Sequence, residues 1–95
     1  MKRTLFIASV LISLATTAQA ACFADYKAKK DDPLRLHYGV VQLPDRACAN
    51  KQAAERVTQQ RISQDGWTLL SIVSIFDEGG LDQRKSSAGQ YFLRF

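Results

Sequence analysis

Two cysteines, Cys22 and Cys48, narrow what this chain can fold into more than any other feature, because they are all the cysteine it has. An even count in a short exported sequence is the usual mark of a disulfide, and two cysteines leave a single pairing. Closing the segment between them lowers denatured-state entropy by about 3.5 kcal/mol in the chain-entropy model, a large share of the stability of a small domain. The rival chemistries need more. A redox pair wants Cys-x-x-Cys spacing, and a zinc site wants more ligands than two cysteines and His37, the one histidine, can supply. The expectation is a structural disulfide, with no metal and no cofactor.

Export is read from residues 1–20. Lys2 and Arg3 place positive charge ahead of an apolar run over residues 5–15, and Ala18-Gln19-Ala20 closes the segment. That is the three-part pattern of a secretory signal cleaved after Ala20. The run is about half the roughly twenty residues a membrane-crossing helix needs, so no membrane span is expected. The expected location is the periplasm or the medium. Cys22 lies near the cut, as a lipid-bearing cysteine would, but Gln19 stands where lipoprotein signals carry an apolar residue, so lipidation is the less favoured route.

Loss of the leader removes Lys2 and Arg3 from a total of 13 basic and 9 acidic residues, leaving a net charge of +2. The remaining charges are mixed: Lys29-Lys30 adjoin Asp31-Asp32, and Arg84-Lys85 follow Asp77-Glu78. Nucleic-acid binders gather Lys and Arg on one face or along one helix, so no nucleic-acid partner is expected.

Residues 21–95 read as a single small α+β domain. Residues 21–30 have helix-tolerant composition and suit a short helix or turn tethered by Cys22, ended by Asp31-Asp32-Pro33. Residues 35–43, with Leu36, Tyr38, Val40 and Val41, read as a first strand ended by Pro44-Asp45. Residues 50–65 lack proline and glycine and place Ala54, Val57, Thr58 and Ile62 on one stripe, which predicts a helix capped by Asp45 or Asn50 and stopped by Gly66. Residues 67–76 are a second strand. Residues 77–88 read as a polar loop, and residues 90–95 as a third strand.

The resulting β-α-β-β order predicts a three-stranded, mostly antiparallel sheet in the spatial order 1-3-2, with the last strand in the centre and one helix. The strands carry apolar residues at both parities: Trp67, Leu69, Val73 and Ile75 alternate with Leu70, Ile72 and Phe76. One helix covers one face, so something else must cover the other. The candidates are the N-terminal segment with Phe23 and Tyr26, or a second copy of the protein.

The runs Cys-Phe-Ala-Asp-Tyr-Lys-Ala-Lys from Cys22, Leu-Arg-Leu-His-Tyr-Gly-Val from Leu34, Gly-Trp-Thr-Leu-Leu-Ser from Gly66 and Gly-Gln-Tyr-Phe-Leu-Arg-Phe from Gly89 together resemble an uncharacterised family of small exported bacterial proteins, a domain of unknown function with a β-α-β-β core. The resemblance implies export and fold, and it carries no catalytic or binding residue.

A search for a nucleophile beside a base, for paired carboxylates and for metal-ligand spacing returns no catalytic residue. His37 sits on a strand, where a structural role is the plainer reading. Asp77, Glu78 and Asp82 match no calcium-loop template. Trp67, directly after Gly66, anchors helix to sheet, and Arg94, odd in a central strand, needs an acidic partner or an exposed strand end. The leading expectation is therefore a non-catalytic periplasmic binding or accessory module that contacts a protein partner or itself. Two alternatives stay open: a small enzyme with a site at an oligomer interface near His37 and Tyr38, and an envelope inhibitor protein presenting the 77–88 loop.

Overall fold

On one face of the first element Ala24, Tyr26 and Ala28 run small, large, small, and that fit decides where the element lies. In the computed structural model, which describes residues 21–95, β1 (Cys22–Lys30) turns tightly at residues 31–34 into antiparallel β2 (Arg35–Leu43). A 3-10 turn and α1 (Lys51–Ser63) follow, and β3 (Thr68–Asp77) returns antiparallel on the far side of β1, giving the order β2-β1-β3. A second 3-10 turn, α2 (Asp82–Ala88) and residues 89–95 complete the domain. The proposed leader, residues 1–20, lies outside the described residues. Among the described residues, no helix is long and apolar enough to cross a membrane.

The class is as expected: α+β, a three-stranded antiparallel sheet, one main helix and a Cys22–Cys48 disulfide. The sheet's layout also holds, since the strands over residues 35–43 and 67–76 flank an antiparallel centre. The occupant of that centre is a correction. It is β1, not residues 90–95, so the chain order is β-β-α-β-α. Ala24 and Ala28, wholly buried, let α1 approach, and Tyr26 fills the space between them. Lys, Ala and Asp are poor strand formers by themselves, so β1 is a strand because it has neighbours on both sides.

α1 begins at Asn50, whose Oδ1 accepts from the Ala53 N–H at 3.0 Å, and Gly66 at φ 84° ends the connection to β3. Ala54, Thr58 and Ile62 lie buried against Cys22, Tyr26, Val41, Leu43 and Ile72. Trp67 anchors this layer as expected, and Gln59 fixes the entry to β3 by bonding both the Trp67 carbonyl and the Leu69 N–H.

The simple parity expected for residues 67–76 is also corrected. The β1–β3 register slips twice, so that Ser74, Ile72, Ser71 and Leu69 face Asp25, Tyr26, Lys27 and Ala28 in turn. Val73 and Leu70 are the extra, unpaired residues of two bulges. Leu69, Ile72 and Ile75 thereby all join the α1 layer, while Leu70 and Val73 stand exposed. The bulges also blunt an edge that would otherwise offer a straight row of hydrogen-bonding groups.

Residues 90–95 form no strand. They wrap the β2 edge, where the Leu93 N–H donates to the Val40 carbonyl at 2.8 Å and Phe92 makes a single parallel bridge to Val40. Tyr91 and Phe95 pack on the α1 side and Phe92 on the other. The apolar pattern that looked like a strand covered on both faces belongs to a segment straddling an edge.

Residues 77–88 are not a loop. The Asp77 carboxylate accepts from the Gly79 N–H at 3.0 Å, opening the 3-10 turn that leads into α2. α2 covers part of the second face, and the N-terminal segment does not, because Phe23 and Tyr26 are on opposite faces of the sheet's centre.

Candidate functional site

Three places gather side chains with chemical potential. The first lies between the second face and α2. Asp25, on the central strand and almost wholly buried, accepts from the Tyr38 hydroxyl and the Ser74 hydroxyl, each at 2.7 Å, and from Arg84 Nε at 3.0 Å. Arg84 also donates through Nη1 to the Gly80 carbonyl at 2.7 Å and lies 3.9 Å from the Phe76 ring centre. Burial alone would raise the Asp25 pKa. The bonds from Tyr38, Ser74 and Arg84, with the Arg84 charge, outweigh it and hold the carboxyl below its ordinary 3.8. Burial and the neighbouring Asp25 push the Tyr38 phenol up to about 12. A carboxylate with three donors has little capacity left for a substrate. The cluster is a clamp that seats α2.

The second place is an aromatic stack at the opposite face. His37 is sandwiched by Tyr91, with ring centres 3.6 Å apart at 13°, and meets Trp67 edge-on at 4.3 Å. Tyr26 Oη and His37 Nε2 share a hydrogen bond of 2.8 Å. Tyr26 crosses the face of Gly39 so closely that a Cβ there would lie 2.5 Å from its oxygen, so Gly39 is what lets the phenol reach His37. Burial first, then the nearby Lys30 and Arg94 charges, lower the His37 pKa to about 4 against the pull of Asp65. The imidazole is neutral at ordinary pH. Among the described residues, His37 Nδ1 and Trp67 Nε1 are buried without partners.

The third place is the half of the second face that α2 leaves open. Lys27, Leu36, Tyr38 and Leu70 frame a depression of about 360 Å³. Leu36 is 65% exposed and Leu70 is 51% exposed. Among the described residues, no carboxylate lies within ion-pair distance of Lys27.

The residues singled out in sequence are thus dispersed. His37 and Tyr38 are neighbours in the chain, and both line the depression, yet their hydrogen-bonding atoms serve opposite faces of the sheet. The cation that finds a buried acid is Arg84, while Arg94 lies 5.8 Å from the rings of Tyr91 and Phe95. Asp77 caps a turn and Asp82 lies in the first turn of α2. Among the described residues, no three His, Cys, Asp or Glu side chains converge as metal ligands. The Asp25 cluster was missed, although a lone Asp between Ala24 and Tyr26 in an apolar alternation was its available signal.

The chain matches no family model, no curated protein and no solved structure.

Proposed function

We propose that this protein is an exported binding or accessory module of the bacterial periplasm, released from its leader after Ala20, which acts by contact and not by catalysis. The observation that carries the reading is the open half-face, where Leu36 and Leu70 stand in water beside a Lys27 that has no ion-pair partner among the described residues. Both titratable clusters support it, since Asp25 and His37 are buried in contacts that hold the fold together. The partner that fits this face is a protein presenting an apolar side chain beside a carboxylate, the first for the depression and the second for Lys27.

The test is photo-crosslinking in cells with a benzophenone amino acid at position 36. The expected result is an adduct to one discrete envelope protein, lost when Lys27→Glu reverses the charge. No adduct, or one indifferent to Lys27, overturns the reading, and an adduct of twice the monomer mass reassigns the face to self-association. Sequencing of the exported material is expected to begin at Ala21.

A further inference from the structure

The turn between β1 and β2 brings like charges together. Lys30 and Arg35 are the last pair of the β1–β2 register and stand directly opposite each other. Both reach the same ring: Lys30 Nζ lies 4.6 Å from the centre of Trp67, and the Arg35 guanidinium lies 5.8 Å from it. Like charges facing each other weaken a strand pair, and the attraction of the indole for each cation does not remove their mutual repulsion. Arg94, 5.8 Å from the rings of Tyr91 and Phe95, adds a third positive charge to the same aromatic stack. Among the described residues, no carboxylate lies within ion-pair distance of Lys30, Arg35 or Arg94. Asp65 acts on His37 in the opposite sense from Lys30 and Arg94, which leaves three positive charges against one negative around the rings.

Two other cations of the fold are answered by acids, Arg84 by Asp25 and Lys29 by Asp31. The Lys30–Arg35 pair is held in place without one. Its floor is Trp67, which is buried, and Lys30 Cε passes 3.2 Å from where a Cβ on Gly66 would be, so the bare glycine is what lets the stem lie there. Two fixed cations with surplus positive charge behind them form a seat for an oxyanion. The guanidinium presents a planar fork that takes two oxygens together, and the ammonium offers a point charge to a third. A carboxylate would bring one charge, whereas a phosphomonoester brings close to two at neutral pH and matches the surplus. We propose that Lys30 and Arg35, backed by Arg94, bind the phosphate of a phosphomonoester beside the β1–β2 turn. The seat lies on the Trp67 side of the sheet, and it is independent of the Lys27–Leu36–Leu70 face.

The experiment titrates the disulfide-bonded protein with glycerol 3-phosphate and follows the indole N–H resonance of Trp67, the one tryptophan in the chain. In parallel, the protein is sedimented with phosphatidylcholine vesicles that contain or lack phosphatidic acid. A saturable shift is expected, about tenfold weaker in affinity for Lys30→Gln and Arg35→Gln, less weakened for Arg94→Gln, and unchanged for Lys51→Gln. Retention on the phosphatidic acid vesicles, lost in the same variants, places the phosphate on a lipid headgroup; a shift without retention places it on a soluble ligand. Should Lys30→Gln disturb folding through its packed stem, Arg35→Gln, at an exposed position, carries the comparison. Acetate binding as well as the phosphomonoester, a shift or retention indifferent to Arg35→Gln, or neither shift nor retention overturns the proposal.

Discussion

The two faces of the sheet are closed by different chemistry. The α1 face is apolar and covalently tied. Ala54, Thr58 and Ile62 press on Tyr26, Val41 and Ile72, while the disulfide joins Cys22 at the start of β1 to Cys48 just ahead of α1. The α2 face is held at one point by a buried carboxylate and a guanidinium, with a few apolar neighbours, and half of it stays open. Apolar burial is non-directional and tolerates small shifts. An Asp25–Arg84 clamp works only in register, because a buried charge that loses its partner is costly. The first face therefore sets stability, and the second sets where α2 sits.

Replacing Cys22 and Cys48 by Ser tests the covalent half of this contrast most severely. The 26-residue separation corresponds to about 3.5 kcal/mol of stability in the chain-entropy model, read as a large fall in the urea midpoint. Asp25→Ala comes next, at about 3 kcal/mol, because it strands Arg84, Tyr38 and Ser74. Hydrogen exchange should show α2 losing protection while α1 keeps it, and equal loss in both would end the claim that the faces are held separately.

Acid provides a third, smaller test. The folded His37 pKa of about 4 lies below its ordinary 6.5, so between those values the unfolded chain binds a proton that the folded one does not. Stability is then lost as pH falls from about 6.5 towards 4, by about 2 kcal/mol, and His37→Phe should flatten that slope. Asp25 acts lower down: its depressed pKa contributes stability that is complete above 3.8 and disappears as pH falls through the folded value. Smallest of all, Leu36→Ser on the open half-face is expected to change stability by no more than about 0.5 kcal/mol, and a larger loss would mean that this half is covered in solution.

Much of the outline was legible from local pattern. Residues 35–43 alternate β-branched and aromatic side chains and are β2 to the residue, and the stripe of Ala54, Thr58 and Ile62 is the buried face of α1. β1 was not legible, because Ala, Lys and Asp have low strand preference and its conformation comes from pairing on both sides. Residues 90–95 were misread for the converse reason: Tyr91, Phe92 and Phe95 look like strand residues wherever the backbone takes them. The period-three spacing of Leu69, Ile72 and Ile75 became sensible only with two bulges against β1. Of the site, His37 and Tyr38 were visible and their divergence was not. The partners of Asp25 lie 13, 49 and 59 residues away, and no local window contains them.

The sequence by itself determined the α+β class, the single cysteine pairing, the helix with its Gly66 stop, and the strands on either side of the helix, and it left the helix cap between Asp45 and Asn50. These follow from propensity, periodicity and covalent chemistry, which act over a few residues or admit one solution. Only the tertiary structure decided which segment occupies the sheet's centre, where β3 bulges, that residues 82–88 fold into a helix clamped by Asp25, and that residues 90–95 wrap an edge. Each of those depends on satisfying buried backbone and charged groups with partners distant in the chain, and a local pattern carries no record of which distant partner will be there.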